Sequence, residues 1–187
     1  MKRSEALEAI YPDIQNDIVV TIMGGVTLEL YSIGHRPNFF YMQHGMGLAS
    51  SVGLGIALAR PKNRVVVLDG DGSLLMNLAT LSTLACAAPP NLIHVVFDNQ
   101  NFVSIGGYPT ATALGVDLAG IAEKAGISNV AKAATMEAFK KDWAAARERN
   151  GLSVVITKVE TVIPKFFHMD LALLENRFEF HRWIRTH

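Results

Sequence analysis

"RVVVLDG" at 64–70 and "LIHVVFDN" at 92–99 carry apolar side chains at consecutive positions rather than alternate ones. A strand with one wet face alternates, whereas one without a polar face must be covered on both sides, the situation of parallel strands between two helical layers. "DIVVTIM" (17–23), "NFFYMQ" (38–43) and "LSVVITKVE" (152–160) are three more short strand candidates. Helical stretches lie between them at 47–60, 73–88, 116–126 and 135–151. The last has Thr135 as its N-cap and stops at Gly151, with basic residues near its end. This alternation predicts an α/β fold: a doubly wound, mostly parallel sheet with helices on both faces.

At 187 residues, half of them hydrophobic, the chain suits one well-cored domain over 1–187. It shows no repeat, low-complexity tract or dividing linker. The tail, about 164–187, reads as an amphipathic aromatic-rich helix packed on its own domain, with a partner contact as the alternative. One long irregular stretch, "QNFVSIGGYPTATALG" at 100–115, is expected to be functional, as long loops in compact domains usually are.

Seventeen basic residues balance seventeen acidic ones without a charged block, which argues against nucleic acid or an anionic membrane as partner. No apolar run reaches the length of a membrane span, and "MKRSEALEAIYPD" lacks the apolar core of a signal peptide. The lone cysteine, Cys86, falls in an apolar helical pattern and reads as a buried spectator in a reducing cytoplasm. Charged residues make up only 18% of the chain, and the apolar excess is expected to cover a subunit interface.

Two of the buried strands end in acids and amides. In an open parallel sheet, ligands bind at the carboxyl ends of strands, near a topological switch point. Asp71 offers a carboxylate there, Asn99 an amide oxygen, and the following turn a backbone carbonyl such as that of Asn101. These hard oxygen donors suit Mg²⁺, which completes its octahedron with phosphate oxygens and water. Zinc or iron would call for clustered His and Cys. Gly70 and Gly72 permit a tight turn, and Gly72 and Ser73 open a helix whose free N–H groups face an anion. Alone, Asp71 could equally be a helix cap; the second polar ending, one strand–helix unit later, favours a ligand site.

"GDGSLLMN…VVFDNQN" resembles the thiamine diphosphate motif, a GDG followed by an asparagine-containing turn. With "QHGMGLASSVGLGIALARPKN" before it and "NFVSIGGYPT" after it, the segment from about 15 to 160 resembles the sulfopyruvate decarboxylase β subunit and the C-terminal half of phosphonopyruvate decarboxylase. The resemblance implies the diphosphate-binding (PP) domain of thiamine enzymes. On that basis Asp71, Asn99 and the carbonyl of Asn101 hold Mg²⁺; Gly70, Gly72 and Ser73 cradle the diphosphate; and Val103 lies beside them. Asp69 is a bystander. In "HGMG", Met46 is expected to wedge between the two cofactor rings, with His44 and Gly45 lining the same pocket and His44 a candidate proton donor to substrate. His94 reads as a satisfied core residue, and His168, His181 and His187 as tail residues. "SIGGYPT" at 104–110 departs from the resembled S-T-G-G-Q-P-T at Ile105 and Tyr108, which leaves sulfonate or phosphonate specificity open; Tyr108 either narrows the site or packs under its own loop.

The resemblance also implies what the chain lacks. The glutamate that activates the cofactor belongs to a separate pyrimidine-binding (Pyr) domain, and Glu29 is not assigned that role. A second subunit would carry it, in an α2β2 or larger assembly. The implied reaction takes a small 2-oxo acid to an aldehyde and CO2. Alternatives are a carboligase subunit of the acetolactate synthase type and a non-catalytic cofactor-binding regulatory subunit. A 2-oxoacid oxidoreductase would require iron–sulfur cysteines. Lys62 and Arg64 precede a strand, at the end away from the site, and read as solvated turn residues.

Overall fold

A computed structural model describes residues 1–163 and 168–187. Six strands form one sheet: β1 (Ile18–Thr21), β2 (Phe39–Tyr41), β3 (Val65–Gly70), β4 (Leu92–Asp98), β7 (Val130–Ala133) and β8 (Ser153–Lys158), ordered β2-β1-β3-β4-β8-β7 and parallel throughout. The central strands are buried at almost every position, as continuous runs such as "VVVLD" require. The short β5 (Asn101–Phe102) and β6 (Tyr108–Pro109) make a separate antiparallel ribbon, so the long irregular stretch is an ordered hairpin followed by a 3-10 turn at Ala111–Leu114.

From β1 the chain crosses through α2 (Gly25–Ile33) to β2, then returns through α3 (Ala49–Ala59) past β1 to β3. Right-handed crossovers in opposite directions put α2 and α3 on opposite faces and leave a switch point between β1 and β3. On one side α1 (Arg3–Ile14) packs on α2 and on α7 (Met136–Glu148); Trp143 Nε1 of α7 donates to Asp13 Oδ2 of α1 at 2.8 Å. On the other side α3 contacts α5 (Ala79–Ala87). Gly53 lets α3 lie directly on β3, since a Cβ there would come 2.2 Å from Val67 Cγ2. The remaining helix of the sheet layer, α6 (Leu118–Lys124), packs on β7 and β8.

Several expectations are corrected. The stretch 73–88 is not one helix: α4 (Asp71–Leu75) ends in a turn before α5, because Asn77 turns its side-chain amide to the carbonyl of Gly47. Cys86 is exposed, not buried; α5 turns Thr80, Leu81 and Leu84 inward, and Cys86 falls off that face. His94 is buried but only half satisfied: Nε2 lies 3.3 Å from Asp69 Oδ2, while Nδ1 has no partner among the described residues. The acid of that buried pair is Asp69. Arg64 is no free turn residue, for its Nη2 donates to the Arg147 carbonyl at 2.7 Å. As expected, Thr135 caps α7 by accepting from Ala138 N.

Residues 164–167, the start of the expected tail helix, lie outside the described residues. The rest forms α8 (Leu173–Thr186), which covers the edge strand β2. Asn176, 1% exposed, accepts from Tyr41 N at 3.0 Å and donates to the Phe39 carbonyl at 2.7 Å. Phe180 meets Phe40 with ring centroids 5.2 Å apart. An edge strand presents unpaired backbone groups, and here one amide side chain occupies two of them.

Candidate cofactor site

The switch point holds a cleft of about 400 Å³. Its β3 side is the GDG turn: Gly70 ends the strand and Asp71 begins α4. Its β4 side is the turn Asp98-Asn99-Gln100-Asn101, where Gln100 takes a left-handed φ of 59° and Asn101 N donates to Asn99 Oδ1 at 3.2 Å. Because β3 and β4 are adjacent with Gly70 level with Phe97, both polar endings open on the same end of the sheet. Met46, Gly70, Asp71, Gly72, Ser73, Asn99, Asn101 and Val103 all line the cleft. His44 and Gly45 do not; His44 is exposed on the turn before Met46.

The "HGMG" turn is fastened to the GDG helix. Gly47 N donates to Ser73 Oγ at 3.0 Å, and Gly47 O accepts from Asn77 Nδ2 at 3.0 Å. Gly47 has φ +82°, and a Cβ would come 2.8 Å from Asn77 Cβ, so position 47 requires glycine twice over. Gly72 is required by packing: a Cβ would lie 2.2 Å from Phe102 Cε1 in the cleft wall. Gly72→Ala is therefore expected to displace that ring, lower the melting temperature by a few degrees and weaken cofactor uptake about tenfold. A calorimetric titration beside a melting curve checks this; unchanged affinity would mean that the ring position is immaterial.

Asp71 is 2% exposed, and burial pushes its carboxyl above the ordinary range, with the charge of Asp98 adding to the rise. Thr110 and Thr112 act the other way: Thr110 Oγ1 donates to Asp71 Oδ2 at 2.6 Å, and Thr112 Oγ1 lies 3.2 Å from the same oxygen and 2.7 Å from Asp98 Oδ1. One threonine hydroxyl thus stands between two carboxylates, and Lys158 pairs with Asp98 from the far side. These three residues were missed from sequence, because neither a hydroxyl in a loop nor a lysine at the end of a strand carries a signal of what it will touch. The sequence holds only the position of Thr110 at the end of "SIGGYPT".

The donor set fits a hard divalent cation. Among the described residues there is no cluster of three or more His, Cys, Asp or Glu that could bind a metal. There is one buried carboxylate with amide and carbonyl oxygens beside it. Thr110 N donates to the Gln100 carbonyl, so Asn101 and Pro109 are a non-hydrogen-bonded pair of the small ribbon and the Asn101 carbonyl points away from the partner strand. Asn101 Oδ1 is buried without a partner among the described residues. Such unmet oxygens suit Mg²⁺, which takes few protein ligands.

Residues 23–157 match the family model described as thiamine pyrophosphate enzyme, C-terminal TPP binding domain. The chain belongs to this family. Its cofactor is thiamine diphosphate. The chain is 34% identical to sulfopyruvate decarboxylase subunit beta of Methanocaldococcus jannaschii, over 96% of this chain and 95% of that one. It is 39% identical to phosphonopyruvate decarboxylase of Streptomyces viridochromogenes, over 82% of this chain but only 38% of that one. Its fold matches benzoylformate decarboxylase of Polynucleobacter necessarius with a TM-score of 0.70 at 19% identity, covering 89% of this chain and 34% of that one. In this thiamine enzyme chain Ile105 and Tyr108, the two departures in "SIGGYPT", are both exposed, 63% and 66%, so Tyr108 does not pack under its loop.

Proposed function

We propose that the chain is the diphosphate- and Mg²⁺-binding subunit of a split thiamine diphosphate-dependent decarboxylase acting on a 2-oxo acid of the sulfopyruvate or phosphonopyruvate class. The observation that carries this is the convergence of Asp71, Asn99, Asn101 and Met46 on one cleft at the switch point. In this reading the chain is one cofactor-binding domain of a cytoplasmic hetero-oligomer. Its partner subunit supplies the Pyr domain and the activating glutamate. The phosphonopyruvate decarboxylase relative, of which this chain matches 38%, supports a reading in which further chain completes the site.

Bound thiamine diphosphate supplies the electron sink that makes loss of CO2 from a 2-oxo acid possible. The residues of this chain do the holding. Asp71, Asn99 and the Asn101 carbonyl would bind Mg²⁺, and Gly70, Gly72 and Ser73 would surround the diphosphate. Met46 would set the angle between the cofactor rings, a task suited to an unbranched, polarizable side chain. His44, exposed beside Met46, is the candidate for donating a proton to product at the mouth of the assembled site.

The test mixes the purified chain with its partner subunit, thiamine diphosphate and Mg²⁺, and follows CO2 release from sulfopyruvate, phosphonopyruvate and pyruvate. Release that needs both polypeptides supports the split enzyme. Absence of release from every 2-oxo acid, with the cofactor demonstrably bound, would favour a regulatory subunit instead.

A further inference from the structure

The cofactor motifs assign no task to the two threonines on Asp71. Both are buried, and both are fixed through their backbones to the turn that ends β4. Thr110 N donates to the Gln100 carbonyl at 3.1 Å, and Gln100 Nε2 donates to the Thr112 carbonyl at 3.0 Å. Their hydroxyls meet at 2.9 Å. Both approach the same carboxylate oxygen, Asp71 Oδ2, and neither donates to Oδ1. Two hydroxyl oxygens at 2.6 and 3.2 Å fill the space that a cation would need at Oδ2. Among the described residues, the neighbouring Gly72 N–H is the one other donor acting on this carboxyl group.

Asp98 stands next to this arrangement and is kept out of it. Its Oδ1 accepts from Thr112 Oγ1 at 2.7 Å and from Gln100 N at 3.1 Å, and its Oδ2 is paired with Lys158 Nζ. Both of its oxygens are engaged, and it takes no part in the cleft lining. The cleft thus offers a cation one oxygen of one carboxylate, held in a fixed orientation. Mg²⁺ is small, takes few protein ligands and demands near-octahedral geometry. Ca²⁺ is larger, gathers more oxygens and readily takes a carboxylate through both of them. A capped Oδ2 suits the first ion and denies the second its two-oxygen grip.

We propose that Thr110, seated by Thr112 and Asp98, is a positioning residue that fixes Asp71 as a one-oxygen ligand and so sets the preference of the site for Mg²⁺ over Ca²⁺. The inference rests on the reading of the cleft as the thiamine diphosphate site with Asp71 as a metal ligand. Ligating carboxylates are oriented by the groups that hydrogen-bond their other oxygen. Hydroxyls that served only to satisfy a buried acid would stabilise the fold and treat the two cations alike.

The experiment uses the full chain with its partner subunit and thiamine diphosphate. Wild type is compared with Thr110→Val, which keeps the shape and loses the hydroxyl, and with Thr110→Ser, which keeps the hydroxyl. Melting curves establish that each is folded, and Thr110→Ala is read by the same criteria in place of a Thr110→Val that is not. Mg²⁺ and Ca²⁺ affinities come from calorimetry, corrected for binding of each cation to the cofactor alone. The ratio of Mg²⁺ to Ca²⁺ affinity is expected to fall about tenfold in Thr110→Val, the size of losing a group that orients a metal ligand, with Thr110→Ser within about twofold of wild type. A ratio in Thr110→Val within about threefold of wild type overturns the proposal, even if both cations bind more weakly. So does an equal fall in Thr110→Ser, which would place the effect in packing rather than in the hydroxyl. Wild type binding neither cation together with the cofactor sinks the metal site itself, a different result from either variant outcome.

Discussion

Asp71→Asn is expected to yield a chain that melts higher than wild type at neutral pH without ligand and no longer takes up Mg²⁺–thiamine diphosphate. Burial, first, and the neighbouring Asp98 charge hold the Asp71 carboxyl above the ordinary carboxylate value of 3.8 in the fold. A carboxyl raised in the folded state binds more protons there than in the unfolded chain. Its stabilising contribution is complete below 3.8 and is lost as pH rises through the folded value. At neutral pH the ionised side chain therefore destabilises the ligand-free fold. Asparagine removes that charge while still accepting from Thr110. A gain of a few degrees is the scale to look for, shrinking as the pH is lowered toward the carboxyl range. On the proposed assignment, which makes Asp71 the cation's one charged ligand, cofactor affinity is expected to fall by about two orders of magnitude, the scale of removing one partner from a buried charge pair. Melting curves at two pH values, with and without Mg²⁺ and cofactor, read both effects. A variant still stabilised by the cofactor like wild type would remove Asp71 from the metal site.

The second large effect lies far from the cleft. Asn176→Leu strands the amide of Tyr41 and the carbonyl of Phe39, both now bonded to the Asn176 side chain in a buried position. Each stranded backbone group costs about 1 to 3 kcal/mol, and the leucine brings no compensating bond. The expected fall in melting temperature is on the order of 5 to 15 °C. A fall below 2 °C would mean that water reaches the strand once the amide is gone, and that α8 is not what seals the sheet. Cofactor affinity per folded molecule should stay unchanged, because α8 contributes nothing to the cleft lining.

Five strands were legible because each is a short apolar run, the pattern that two helical layers impose. The sixth, β7, was not. It sits at the sheet edge, with Lys132 exposed and two neighbours half-buried, so its residues need no continuous apolar run. The helix α1 escaped as well, although it buries Ala6, Leu7, Ile10 and Ile14, because "RSEALEAIYPDI" carries a proline in its last turn and was read only for leader-peptide features. At the site, acids and amides after apolar strands are visible in a sequence, since burial makes them expensive unless used. The latch of Thr110 and Thr112 on Asp71 was not visible, because it joins residues 39 and 41 positions apart through a loop of unknown path.

Both peptide groups of Gly47 are claimed by side chains 26 and 30 residues further along. The floor of the pocket is therefore a single casting, in which a shift of the stretch from 70 to 77 would drag Met46 along with it. New substrate preferences have little room to arise there. They would arise at the rim, where Ile105 and Tyr108 project into solvent and can change without recasting what lies beneath.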